Sequence, residues 1–218
     1  MRFFPLLFLL PLLFSCKHQA DDYAVKGLDI SHYQKRIDWE KFDEKKIDFV
    51  FIKATEADNY QDSLFEHNWT ALKKKGLPVG AYHFFRPQRS PIAQAEFFLQ
   101  TVPLGPGDLP PVLDVEELDG VGAQKLRLGI SLWLNKVEEA CQCKPIVYSS
   151  MKFYEDYLHP EFQDYPLWIA RYNRKMPTTK NWLFWQYTNK GRHPGIPAQV
   201  DLNVFAASRQ ELKTLLLD

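Results

Sequence analysis

The chain has 218 residues, which at roughly one to two hundred residues per domain fits one large domain. With 45% hydrophobic and 25% charged residues it is neither disordered nor a polytopic membrane protein. Its 27 Lys and Arg balance its 27 Asp and Glu, so no basic field gathers phosphates and nucleic acid is not expected as a partner.

The N-terminus reads as an address. Arg2 is followed by an uncharged Leu- and Phe-rich run from Phe3 to Phe14 and then the small Ser15, the pattern of a secretory signal over residues 1–15. The run is shorter than the roughly 20 residues that span a bilayer, and Pro5 and Pro11 interrupt it, so a transmembrane anchor is not expected. Leu13-Phe14-Ser15-Cys16 resembles a bacterial lipobox, which implies acyl chains on Cys16 and a polar tether up to residue 25. The alternative is a plain cleaved signal with an incidental cysteine.

From residue 26 to 218 the pattern is that of one domain. Apolar runs predict strands at 26–32, 49–55, 79–85, 111–117, 145–150, 167–172, 182–188 and 200–205. Helical spacing predicts helices at 38–46, 62–75, 91–101, 123–142 and 151–158, with a closing helix at 209–218 whose Leu212, Leu215 and Leu216 pack inward. Strands alternating with helices imply parallel pairing, and eight strands with few helices imply an α/β fold: an irregular TIM-like barrel of eight strands with an incomplete helical coat.

Parallel strands are buried on both faces, so polar residues within them stand out. These are Asp29 in the first strand, Asp114 and Glu116 in the fourth, and Asp201 with Asn203 in the eighth. All are read as lying late in their strands, at the barrel end that carries active sites. A buried carboxylate costs several kcal/mol unless it is paired, so four converging on one mouth suggest chemistry. Asp114 and Glu116, two apart on a strand, point to the same face about 6.6 Å apart. Such a pair suits glycoside hydrolysis, in which one carboxyl is protonated while another stays charged. Taken alone, an Asp-x-Glu triplet fits a structural or ion-paired role better than a catalytic one.

The series GLDISHYQ (27–34), FVFIKATE (49–56), GLPVGAYHFFRP (76–87), LPPVLDVEE (109–117), PIVYSS (145–150), LWIARY (167–172), WQYT (185–188) and VDLNVF (200–205) resembles glycoside hydrolase family 25, the Chalaropsis-type lysozymes. The resemblance runs through nearly the whole chain after the leader, with the motifs in the family's order. It implies an irregular eight-stranded barrel and N-acetylmuramidase activity on peptidoglycan. It also implies that Glu116 is the general acid, with Asp114 as its partner and Asp29 and Asp201 completing the catalytic set. Tyr82, Tyr148, Trp168, Gln186 and Tyr187 match residues lining the family's substrate groove. Gln186 and Tyr187, being adjacent in a strand, cannot both face the barrel interior. Ala57 departs from the family, which often has Gly there.

No cofactor is expected. The six His are dispersed, which speaks against a zinc hydrolase. Ser149-Ser150-Met151-Lys152 fits Ser-x-x-Lys without the companion motifs of penicillin-binding enzymes. Cys141 and Cys143 are too close for an unstrained disulfide. The expected protein is a monomer in the cell envelope, held to a membrane through Cys16 and acting on glycan strands. Two alternatives stand beside it: a catalytically silent peptidoglycan-binding lipoprotein, and a chitinase-like hydrolase.

Overall fold

The structure, a computed structural model, describes residues 20–172 and 175–218. The expected leader at 1–15, Cys16 and the first part of the tether lie outside the described residues. Strands β1 (Val25–Ile30), β2 (Phe49–Glu56), β4 (Val79–Phe84), β5 (Val112–Asp114), β6 (Ile146–Ser150), β7 (Leu167–Ala170), β8 (Trp182–Gly191) and β9 (Val200–Phe205) form a closed barrel. It closes because β1 pairs with both β2 and β9. A two-residue strand, β3 (Tyr60–Gln61), adds to the outer end of β2. Helices α1 (Phe65–Lys74), α2 (Pro91–Thr101) and α3 (Ala123–Cys141) coat one side. A short α4 (Met151–Phe153) runs into a π turn at Tyr154–Leu158, and α5 (Arg209–Lys213) follows β9.

Eight barrel strands and an incomplete coat are as the sequence predicts, with three corrections. First, β9 runs antiparallel to both of its neighbours. Asp201 is therefore the second residue of its strand, not a late one, and an early position on a reversed strand lies at the same mouth as the late positions of the others. Second, 38–46 is not an α-helix. Ile37, Phe42 and Ile47 are the buried apolar residues there, and a spacing of five cannot form a helical stripe. Asp43 instead caps a 3-10 turn at Glu44–Lys46. Third, β5 ends at Asp114, so Glu116 lies beyond the sheet.

Alternation sorts the side chains into two cores. Odd-numbered residues of β1, and of β2 as far as Lys53, where the register shifts, point into the barrel, and even-numbered ones face the helices. The outer core holds Leu28, Ile30, Val50, Ile52 and Ala54 against Phe65, Phe98, Ile130 and Trp133. Inside, Phe49, Phe51, Trp168 and Phe184 make a floor of rings. Phe51 stacks on Trp168 at 4.5 Å, and Phe184 meets Phe49 and Phe51 edge-on at 5.1 Å. Two inward positions are glycine for this reason: a Cβ on Gly27 would sit 2.4 Å from the Phe49 ring, and one on Gly80 2.6 Å from the Phe51 ring. Leu212 joins this inner cluster, with Leu215 and Leu216 packed against it, so the C-terminal segment packs inward as predicted.

His83 on β4 points the other way and is fully buried. Its Nδ1 lies 2.7 Å from Thr55 Oγ1 and its Nε2 3.1 Å from Gln94 Oε1, with the ring stacked on Trp133. Gln94 in turn accepts from the Arg86 backbone N–H and donates to the Arg86 carbonyl, which fixes the segment after β4. Loss of hydration lowers the His83 pKa from 6.5 to about 4. The unfolded chain therefore takes up this proton before the folded one does. The stability that neutral His83 contributes is complete above pH 6.5 and is lost as pH falls from there to about 4. NMR of the ring nitrogens is expected to show His83 titrating near pH 4, and a midpoint near 6.5 would refute this.

Candidate active site

Asp29 sits near the end of β1, directly opposite Asp201 in the antiparallel ladder. Asp114 ends β5. Beyond it the backbone is held against β6, Val115 N–H donating to the Tyr148 carbonyl and Ser149 Oγ donating to the Val115 carbonyl. Glu116 is thereby carried to the same cavity as Asp114. The two serines of the Ser-x-x-Lys match have structural roles, since Ser150 caps α4 and Lys152 pairs with Asp156. Asp29, Asp114, Glu116 and Asp201, with Tyr82, Tyr148, Trp168, Tyr172 and Gln186, line a cavity of about 190 Å³.

Within the cavity the carboxylates differ. Asp114 is 5% exposed, whereas Glu116 is exposed at the mouth. Burial raises Asp114 well above the ordinary carboxylate range, and the negative charge of Glu116 raises it further. Crowding of the Glu116 carboxyl by protein raises it as well, opposed by a hydrogen bond from Asp114. The pair thus shares a proton that rests on the deeper member, Asp114, which donates to Glu116. The Oδ1 atom of Asp114 is buried and has no protein hydrogen-bond partner. Burial likewise pushes Asp201 up to about 6. Asp29 is raised by burial and by Asp201, against the pull of hydrogen bonds from Asn203 and Gln186.

The predicted groove residues divide. Tyr82 and Tyr148 reach the cavity wall. Trp168 is 2% exposed and forms the base, its indole donating to Asn203. Gln186 is buried, donating to Asp29 while accepting from Tyr148 and Tyr172. Tyr187 does not reach the cavity. It lies against Trp185 on the outer face of β8, as alternation requires once Gln186 points inward.

Two participants escaped the sequence reading. Tyr172 closes the wall two residues past the end of β7, on the same alternating face as Trp168 and Ala170. Lys53 is 6% exposed and is paired with Glu56 at 2.6 Å. A single cation inside the apolar run FVFIKATE was its available signal. Its positive charge lowers both Asp114 and Glu116. Lys53 also lines an adjoining groove of about 550 Å³, whose rim carries His32, Tyr33, Tyr60 and Arg86. Arg86 holds Glu56 at 2.7 Å and Glu117 at 2.5 Å. Ala57 on this groove has φ 53, the left-handed region that favours glycine, so a β-carbon here bears strain of about 1 kcal/mol.

Lys53→Met is expected to raise the pKa of both Asp114 and Glu116, with Glu56 still paired to Arg86. Carboxyl ¹³C titration reads this directly, and unmoved midpoints would remove Lys53 from the electrostatics of the site.

Comparison with known proteins bears on this geometry. A family model described as glycosyl hydrolases family 25 matches residues 28–196. The chain is 41% identical over 201 residues to YegX, an uncharacterized protein of Escherichia coli K12, covering 89% of this chain and 74% of that one. It is 31% identical over 216 residues to Lysozyme M1 of Streptomyces globisporus, covering 90% and 72%. A family 25 glycosyl hydrolase from Bacillus anthracis superposes with a TM-score of 0.84 at 33% identity, covering 92% of this chain and 97% of the other. The chain therefore belongs to family 25 of the glycosyl hydrolases.

Proposed function

We propose that this family 25 lysozyme hydrolyses the β-1,4 bond between N-acetylmuramic acid and N-acetylglucosamine in peptidoglycan, with Glu116 as general acid and the substrate's 2-acetamido group as nucleophile. The names of its relatives support the substrate class: they include Lysozyme M1 and the Autolytic lysozyme of Clostridium acetobutylicum. The observation that carries the mechanism is the buried, unpartnered Oδ1 of Asp114 on the cavity wall. A carboxyl oxygen left dry and unpaired is costly, and an acetamide N–H donated by the sugar removes that cost.

Accepting the N–H bond favours the ionised form of Asp114 and sends the shared proton to Glu116, the member at the mouth. Glu116 then protonates the glycosidic oxygen as the C–O bond breaks. The acetamido oxygen forms the bond to the anomeric carbon, and Asp114 balances the charge on the resulting oxazolinium ring. Water next attacks with Glu116 as base, restoring the β configuration. Asp29 and Asp201 lie across the cavity, where negative charge stabilises the oxocarbenium-like transition state. Tyr82 and Tyr148 offer ring faces to the sugar, and the adjoining groove with its exposed Tyr33 extends the surface available to a glycan strand.

The leader-like residues 1–15 and the lipobox-like Leu13–Cys16 support a place outside the cytoplasm, lipid-anchored through Cys16 with residues up to 25 as the tether. Cys16→Ser is expected to move the protein from the membrane to the soluble fraction, and continued membrane association would overturn the anchor.

Digestion of purified peptidoglycan by the parent and by Glu116→Gln tests the chemistry. Expected are fragments ending in reducing N-acetylmuramic acid, at least about 10²-fold fewer with the variant, and an initially β-configured reducing end by NMR. An α anomer overturns the acetamido route in favour of water activated by Asp201 or Asp29. Wall binding without hydrolysis by the parent makes the protein a binding module, and turnover of chitin in preference to peptidoglycan reassigns the substrate.

A further inference from the structure

Resting on that reading of the site, we propose that Gln186 and Asn203 are positioning residues which keep Asp29 ionised and oriented, so that the proton held by the Asp29–Asp201 pair resides on Asp201. Asn203 Nδ2 donates to Asp29 Oδ2 at 2.7 Å and Gln186 Nε2 donates to the same oxygen at 2.9 Å. A side-chain amide flipped end for end would turn its carbonyl oxygen against the carboxylate. Indole N–H can only donate, so Trp168 Nε1, 2.8 Å from Asn203 Oδ1, fixes which end of Asn203 is the carbonyl. The Nδ2 group must then face Asp29, and Asp29 Oδ2 must accept. Gln186 Oε1 accepts from two hydroxyls, Tyr148 at 2.9 Å and Tyr172 at 2.8 Å, and its Nε2 faces Asp29.

The chain of donors runs one way, from Trp168 and the two tyrosines through the amides to a single oxygen. Two N–H donors converging on that oxygen favour the ionised form of Asp29. The groups facing Asp29 are Asp201 on β9, Asp114 and Glu116 on and beyond β5, Tyr82 on β4, Tyr148 on β6 and Tyr172 past β7. None of them is a cation. Stabilisation of the Asp29 charge falls to the amides, while among the described residues no side chain donates to Asp201. Hydrogen bonding across the ladder thus favours charge on Asp29 and the proton on Asp201. Asp29 then presents a fixed anion to the reacting sugar, the amides working against the burial and the Asp201 charge that raise it.

The test is a ¹³C titration of protein labelled at the Asp carboxyl carbons, with the full chain and without substrate. Asp29 is expected to keep its carboxylate shift throughout the interval in which Asp201 titrates. Asn203→Leu and Gln186→Met each remove one donor at similar size without adding charge. Each is expected to raise the Asp29 proton affinity at least about tenfold and to move the acid limb of kcat/KM upward by a similar factor. A merely structural role would lower activity without displacing that limb. Asp29 protonated while Asp201 is ionised in the parent, or an Asp29 midpoint unmoved in the folded variants, overturns the proposal. The titration needs no turnover, so a parent that fails to hydrolyse peptidoglycan refutes the lysozyme reading and leaves this one standing or falling on its own data.

Discussion

Four carboxyl groups share a cavity of about 190 Å³, and the rest of the barrel is arranged around the cost of keeping them there. Negative charge in a poorly hydrated site is unfavourable, and like charges side by side add to the penalty. The barrel meets this in two unlike ways. On the β1 and β9 side the compensation is by hydrogen bonds: two amides donate to one oxygen of Asp29 and are themselves held by Trp168, Tyr148 and Tyr172. On the β5 side it is by charge and by proton sharing, with Lys53 at the end of its stem from β2 and one proton between Asp114 and Glu116. The aromatic floor serves the same end. Phe51 stacks beneath Trp168, whose indole is the first donor in the chain to Asp29.

Reversal of β9 makes the first of these arrangements possible. A parallel last strand would place its second residue at the closed end of the barrel. Running antiparallel, β9 sets Asp201 across from Asp29 and Asn203 across from Gly27, whose missing side chain makes way for the Phe49 ring. Asn203 can then reach toward Asp29 along the interior face.

Much of this was legible in the sequence, because buried strands write themselves as apolar runs and carboxylates interrupt them conspicuously. All eight barrel strands and the four acidic residues were found that way. The direction of β9 was not, because periodicity is the same for a strand run either way. The available sign was the connection from β8 to β9, too short and too poor in helical pattern to carry a crossover. The 38–46 segment misled because Trp39 and Phe42 have helical spacing, whereas the buried residues Ile37, Phe42 and Ile47 recur every five and share no helical face. Tyr187 was excluded by alternation as soon as Gln186 was known to point inward. The role of Gln186 itself was hidden: a strand glutamine beside a groove reads as a sugar ligand, and only the positions of Asp29, Tyr148 and Tyr172 show that its polar ends are occupied.

The difference between Asp114 and Glu116 follows from where the sheet stops. Had β5 continued to residue 117, both carboxyls would stand on one strand face in similar surroundings. Because it ends at Asp114, one member is locked into the wall and its neighbour is carried out to the mouth. Depth then assigns the roles. The buried carboxyl is the costlier one to ionise in the empty site, and it therefore gains most from an N–H donor arriving with the sugar. A donor that satisfies Asp114 moves the proton outward to Glu116, the position from which it can reach a glycosidic oxygen. Substrate binding and arming of the acid are on this account one event, produced by a strand that stops three residues earlier than the apolar run suggested.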